Sequence, residues 1–197
     1  MSINFAGIIK KLGGVDYIEK TKEIFVKNNI EFVNNIMGKI PDAEIINFTK
    51  KYGFSMFNNS ICVKADEKND FLDDGEIELG IIYGFGENEN SIKDVIKTYY
   101  KEEQLYKKFY PLFEGYPGDI IFYSLEKETF GNIYYWHHES EIGNDIILIK
   151  NSFMDFFDGL YFVEDNVNEE TTEPKIVGMN LSNDLLKSLK EYKDKNK

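Results

Sequence analysis

Arginine is absent from the sequence. All 23 basic residues are lysine, and 35 acidic residues set the formal net charge at −12. Nucleic-acid affinity comes mainly from neutralising phosphates, and arginine is the commonest reader of base edges. This balance argues against a DNA- or RNA-binding protein and favours a basic partner. Cysteine occurs once, as Cys62, which excludes an intramolecular disulfide framework and any multi-cysteine metal site. Within Ile61-Cys62-Val63 it reads as a small buried hydrophobe. Long apolar runs are also missing: Ile146–Ile149 falls far short of the ~20 residues of a spanning helix. The opening Met1–Gly14 breaks at Lys10-Lys11 and Gly13-Gly14 before a secretory apolar core develops. The expectation is a cytoplasmic protein with no membrane role.

The chain does have aromatic mass. Tyr, Phe and Trp make up 15% of 197 residues, too rich for a disordered acidic chain and long enough for one domain plus a tail. Helix-compatible residues over Val15–Ile36, with Ile18, Phe25 and Phe32 near one face, predict one or two opening helices. Pro41 suits a first helical turn, Ile45, Phe48 and Tyr52 form a stripe, and Gly53 stops the run. The grammar then changes to short apolar runs between turn residues: Ser60–Ala65, Glu78–Phe85, Asp119–Leu125, Asn132–His137 and Asp145–Lys150. These predict strands. Ser91-x-x-Asp94 and Ser152-x-x-Asp155 open two further helices in the manner of capping boxes. The gaps between strands are turn-length, which suits antiparallel pairing. The predicted fold is therefore α+β: one central, mainly antiparallel sheet with helices Pro41–Lys51, Ser91–Lys101 and Ser152–Leu160 packed on it. An acidic linker over Glu164–Glu173 and a helix over Ser182–Lys195 follow.

Catalytic signatures are scarce. His137-His138-Glu139 holds both histidines, but adjacent strand residues point to opposite faces, so one metal ion is hard to share, and no metal or catalytic role is expected. Asp70–Glu78 fails as a calcium loop, because Leu72 and Ile81 fall where chelating groups belong. Asp74-Gly75 suits a tight turn between strands instead. Gly84-x-Gly86 precedes a helix but has Glu89 in place of the third glycine of a dinucleotide loop, so loop geometry is the favoured reading. No P-loop, G-x-S-x-G elbow or Cys–His signature occurs. The expected protein is not an enzyme and carries no cofactor.

Four blocks, in order, resemble the SUKH superfamily, which includes the fungal cell-wall-synthesis regulators and many bacterial immunity proteins. They are Ile40-Pro41 with the helix to Tyr52-Gly53; Pro111-Leu112-Phe113 with Gly118-Asp119-Ile120-Ile121-Phe122; Gly131 through Trp136-His137-His138-Glu139; and Ser152-Phe153-Met154-Asp155-Phe156-Phe157 to Leu160. The resemblance spans roughly residues 15–162, so 1–162 is taken as one SUKH-like domain and 163–197 as linker and closing helix. The family's Asn-Gly-Gly turn is only Tyr52-Gly53-Phe54 here, and Thr171–Lys197 falls outside the pattern. Pro41, Gly118, Asp119, Trp136, Ser152, Phe153 and Phe156 are the structural positions of the motifs.

Bacterial members of the family look like antidotes that bind and neutralise a toxin, often a nuclease. The resemblance thus implies an immunity protein for a cognate toxin; the net charge of −12 fits a basic one, and stoichiometric occlusion is the expected mechanism. An adaptor or regulatory module of the cell-wall type is the alternative. Contact candidates are Asp73, Asp74 and Glu76 in one loop, Glu87 and Glu89 in another, and Glu139 and Glu141 beyond the Trp136 strand. The competing reading of each is ordinary solvated surface. Trp136 reads as core or half-buried support rather than a hot spot.

Overall fold

In a computed structural model describing residues 4–69, 71–101 and 105–163, the patterning resolves into five helices and nine strands among the described residues. The acidic linker and closing helix expected after Val163 lie outside those residues. In chain order the elements are α1 (Phe5–Lys11), β1 (Val15–Tyr17), α2 (Glu23–Met37), α3 (Ala43–Tyr52), β2 (Ser55–Phe57) and β3 (Ile61–Lys64). A 3-10 turn (Asp73–Gly75), β4 (Glu76–Glu78), α4 (Ile92–Lys101), β5 (Phe109–Glu114) and β6 (Ile120–Ser124) follow. The last are β7 (Ile133–Trp136), β8 (Ile146–Lys150), α5 (Phe153–Asp158) and β9 (Tyr161–Phe162). No helix of the described residues is long and apolar enough to cross a membrane.

The fold is α+β, and every strand ladder among the described residues is antiparallel. Strands β5-β6-β7-β8 form a meander, β1 pairs with β2, and β4-β3-β9 form a separate three-stranded sheet. Ile82 bridges Ser55 of β2 and Phe113 of β5, so a single residue joins the first two groups. The expected strand Glu78–Phe85 is therefore broken. Its start belongs to β4, Ile82 alone bridges, and Gly84 and Gly86 are too close to the Phe54 ring to carry side chains: a Cβ on either would lie 2.6 Å from it. The glycine pair is a seat for Phe54. Phe54 itself adopts φ 60°, a conformation disfavoured for a bulky residue. Gly53 keeps φ −59°, and its missing side chain lets it meet the Gly84 backbone.

Caps at Ser91 and Ser152 set two helix starts. Ser91 Oγ accepts the Asp94 N–H at 3.2 Å, and Ser152 Oγ accepts the Asp155 N–H at 3.1 Å, each satisfying a donor that the helix leaves unpaired. Three expectations are corrected at the amino-terminal end. Val15–Tyr17 is a strand, because Gly13 and Gly14 at φ 95° and 90° turn the chain and β2 supplies its partner. The buried face of α2 is Val26, Asn29, Val33 and Met37, while Ile18 lies outside the helix and is exposed. A polar Asn29 hides that stripe from a hydrophobic count. It is buried because its amide donates to the Phe25 and Gly86 carbonyls and its oxygen accepts the Lys93 N–H. Finally, α3 starts at Ala43 with Pro41 outside it, since Asp42 is extended at the N-cap. The Asp42 carboxylate accepts the Tyr123 hydroxyl at 2.8 Å instead of capping.

Helices α1, α3 and α5 meet the sheet through phenylalanine. The rings of Phe5, Phe48 and Phe157 lie 5.0–5.2 Å apart in tilted or edge-on pairs, and Phe113 of β5 joins Phe48 at 5.9 Å. Phe153, Phe156 and Phe157 are all buried, as the motif reading placed them on the sheet. Such pairs add about 0.5–1.5 kcal/mol beyond area burial, so this nest fixes α5, and with it the end of β8.

Candidate functional site

The strands β5 to β8 bring two connections to one end of the sheet: the turn Gly115–Asp119 and the loop His137–Asp145. Each contains a buried aspartate. Asp119, 0% exposed, accepts the His138 N–H at 3.0 Å on Oδ1, meets His138 Nδ1 at 2.6 Å on the same oxygen, and accepts the Tyr135 hydroxyl on Oδ2. Asp145 accepts the Trp136 indole N–H at 3.0 Å and the Gly143 N–H at 2.9 Å, and its carbonyl accepts the His137 N–H at 2.8 Å. Burial of a carboxylate is tolerated only when its lone pairs are filled. Each carboxylate is filled by one side chain at the end of β7, Tyr135 or Trp136, and by groups of the loop that follows, His138 or Gly143, so the loop is pinned at each end. Burial, and then the bond to Asp119, push the Tyr135 hydroxyl pKa up, so it remains a donor.

Gly118 completes the clamp. It has φ 97°, and a Cβ there would lie 2.8 Å from His138 Cε1, so the ring packs where a side chain would otherwise stand. The Gly118-Asp119 and Trp136-x-His138 blocks are two halves of one contact. This corrects the strand-face argument for the histidines. β7 ends at Trp136, both histidines lie in the loop, and their rings are 6.1 Å apart. His138 turns to Asp119, while His137 stacks on Phe71 at 4.6 Å and 24° and shares a hydrogen bond with Ser140 Oγ at 2.8 Å. Among the described residues no group of three or more His, Cys, Asp or Glu side chains is arranged to hold a metal ion.

Beside this clamp lies a cleft of about 580 Å³. The Phe71–His137 stack, Tyr116, Tyr135 and Asp119 line it together with β4. Along β4, side chains alternate, so Glu76 and Glu78 share the exposed face and Ile77 is buried on the other. Glu76 accepts the Tyr161 hydroxyl at 2.7 Å and lies 3.4 Å from Lys64. That hydroxyl bond, opposed by desolvation and aided by Lys64, holds the Glu76 carboxyl below its ordinary pKa. No lysine lines the cleft. The segments around it are depleted likewise: the stretches between Lys68 and Lys93, Lys108 and Lys127, and Lys127 and Lys150 hold seven, three and four acidic residues and no lysine. Ile142, on the pinned loop, and Tyr116, in the cleft lining, are the most exposed large apolar side chains among the described residues, at 76% and 71%.

The seven acidic candidates do not form one patch. Glu76 lines the cleft, and Glu139 and Glu141 stand exposed on the pinned loop that contributes His137. Asp74, at φ 53°, and Gly75, at φ 70°, turn the chain into β4, and Asp73 opens that turn. They close a long connection starting at Ala65, whose N–H meets the Gly75 carbonyl. The expected tight hairpin is thus a wider loop that carries Phe71 to the cleft. Glu87 and Glu89 are exposed but elsewhere: from Gly80 to Tyr83 the chain runs along β5 from Glu114 to Leu112, away from the turn. Trp136 is buried, edge-on to Tyr99 at 5.4 Å. Sequence reading missed Asp145, Phe71, Tyr116 and Ile142. The available signal for Asp145 was Trp136, whose indole N–H, once buried, needs an acceptor.

Compared with known proteins, the chain matches no family model and no curated sequence.

Proposed function

We propose that the chain is an immunity-type inhibitor of the SUKH kind, which binds a basic toxin in the cytoplasm and neutralises it by stoichiometric occlusion without turnover. The observation that carries the reading is the pinned sheet end: a cleft lined by aromatics and carboxylates, free of lysine, beside a loop held rigid by two buried aspartates. A pre-shaped surface binds without ordering losses, and its negative field steers a positive partner and rejects acidic ones. An enzyme that handles phosphates carries such a positive surface. Covering it needs no chemistry from the inhibitor.

The test is co-purification with the product of the neighbouring open reading frame, paired with protection of cells expressing that product. A one-to-one complex whose association slows as salt rises supports the reading. Protection without complex formation, the absence of any complex, or an acidic partner overturns it. A complex with a cell-wall or signalling component that confers no protection assigns the adaptor role instead.

A further inference from the structure

The cleft beside β4 is built for one particular side chain. Its walls combine the flat Phe71–His137 stack, with rings 24° from parallel, and Tyr116 at the mouth. Its acidic lining residues are the buried Asp119 with Glu76 and Glu78, the last two one pleat apart on a single strand face. A guanidinium is planar, weakly hydrated, stacks on aromatic faces and offers a fork of N–H donors to carboxylates. An ammonium has the charge without the plane. The protein has no arginine of its own, and no lysine lines the cleft. Lys64 reaches Glu76 alone and from outside the lining, and Glu78 has no ion pair among the described residues. A volume of about 580 Å³ falls within the range of ligand pockets, large enough for a side chain with the backbone that carries it.

We infer that this cleft receives an arginine side chain from the surface of a basic protein partner, the guanidinium lying against the Phe71–His137 stack and donating to Glu78 and Glu76. The inference rests on the inhibitor reading for its partner and sharpens it: the contact that decides recognition is the arginine, while Glu139 and Glu141 steer.

The test uses the full chain and a small probe, N-acetyl-arginine amide, titrated in an amide NMR experiment. N-acetyl-citrulline amide keeps the shape without the charge, and N-acetyl-lysine amide keeps the charge without the plane. The expected result is saturable shifts at Gly80, Gly115, Tyr116 and His137 with the arginine probe, weaker ones with lysine and none with citrulline. Glu76→Gln with Glu78→Gln should weaken the arginine probe about tenfold. Both positions are exposed, and Glu78→Gln alone leaves the Glu76–Tyr161 bond in place, so a folded variant remains to be read. Equal shifts with citrulline or lysine, shifts scattered to the Glu87–Glu89 loop, or no shifts at all overturn the inference. Because the probe needs no toxin, the two readings fail separately. Arginine capture with no bound neighbouring product sinks the inhibitor role alone. A tight toxin complex indifferent to Glu78→Gln sinks the arginine site alone.

Discussion

At one end of the sheet β5–β8, the turn Gly115–Asp119 and the loop His137–Asp145 close on two buried carboxylates. At the other, the loop Leu125–Asn132 closes on weaker groups: Ser124 Oγ meets Thr129 Oγ1 at 2.8 Å, and the Asn132 N–H reaches the Thr129 carbonyl at 3.0 Å. Charge divides the same way. Lys107, Lys108 and Lys127 belong to the second end, where Lys39 sits over the Phe130 ring at 3.1 Å; the first end has no lysine. Both ends make legitimate turns, so turn formation does not explain the carboxylates. Buried charge is hard to satisfy and unforgiving of movement. Its concentration at one end marks the loop whose shape matters.

That difference should show first in stability. Asp119→Ala strips the acceptor from the His138 N–H, the His138 ring and the Tyr135 hydroxyl, and a broken buried network costs about 3–5 kcal/mol. Ser124→Ala at the other end should cost about 1 kcal/mol. Urea unfolding midpoints measure both. Equal losses would break the comparison at its root.

A matched pair of glycines sharpens it. Gly118 and Gly131 have nearly the same backbone, φ 97° and φ 98°, one at each end. A Cβ at Gly131 would meet only Tyr123 Oη, at 3.7 Å, whereas at Gly118 it would strike the His138 ring. Gly131→Ala therefore carries the backbone penalty of about 1–2 kcal/mol, and Gly118→Ala adds a clash that unseats His138 from Asp119. The excess at Gly118, read by the same unfolding assay, reports the clamp alone.

These contrasts also mark what a sequence can disclose. Ser91 and Ser152 were readable because a cap is local, decided within four residues. β6, β7 and β8 were readable because apolar runs between turns need no knowledge of partners. The pairing of Gly118-Asp119 with His138 was visible only as two separate motif fragments, since the contact is made by strand register. β1 was missed because three residues carry little pattern and its partner β2 decides it. The cleft was the least legible: Phe71 with Glu76, Tyr116 and His137 come from three separate stretches of chain, and only the fold juxtaposes them.

Alkaline pH tests the two ends together. Tyr135 donates to Asp119 at one, and Tyr123 donates to Asp42 at the other; burial first, then the carboxylate neighbour, raises both above the ordinary 10.0. Below pH 10 both hydroxyls are protonated, folded or unfolded, and their contribution is fully present. Above it the unfolded chain loses these protons while the folded one keeps them, so stability falls as pH rises toward the raised values. Tyr135→Phe and Tyr123→Phe should each flatten that decline, at a cost near neutrality of about 1–2 kcal/mol. Chemical unfolding between pH 8 and about 11 gives both slopes. A decline unaffected by either change would mean that these hydroxyls do not titrate on unfolding.

The smallest effect on stability should accompany the largest difference in recognition. Glu139→Lys with Glu141→Lys reverses two exposed charges on the pinned loop, and Lys107→Glu with Lys127→Glu reverses two at the far end. Surface changes of this kind shift stability by about 0.5 kcal/mol or less, so both proteins should unfold like the parent. Association with a basic partner should slow several-fold for the first pair at low ionic strength and converge with the parent as salt screens charges beyond about 8–10 Å. The second pair should leave association unchanged or slightly faster, because it adds negative field away from the contact. Dissociation should barely move in either, since rim charges set encounter and buried contacts set lifetime. Stopped-flow association at several salt concentrations separates these outcomes. Equal slowing from both ends would show that the protein's net charge, rather than the placement of acid at the pinned end, governs the encounter.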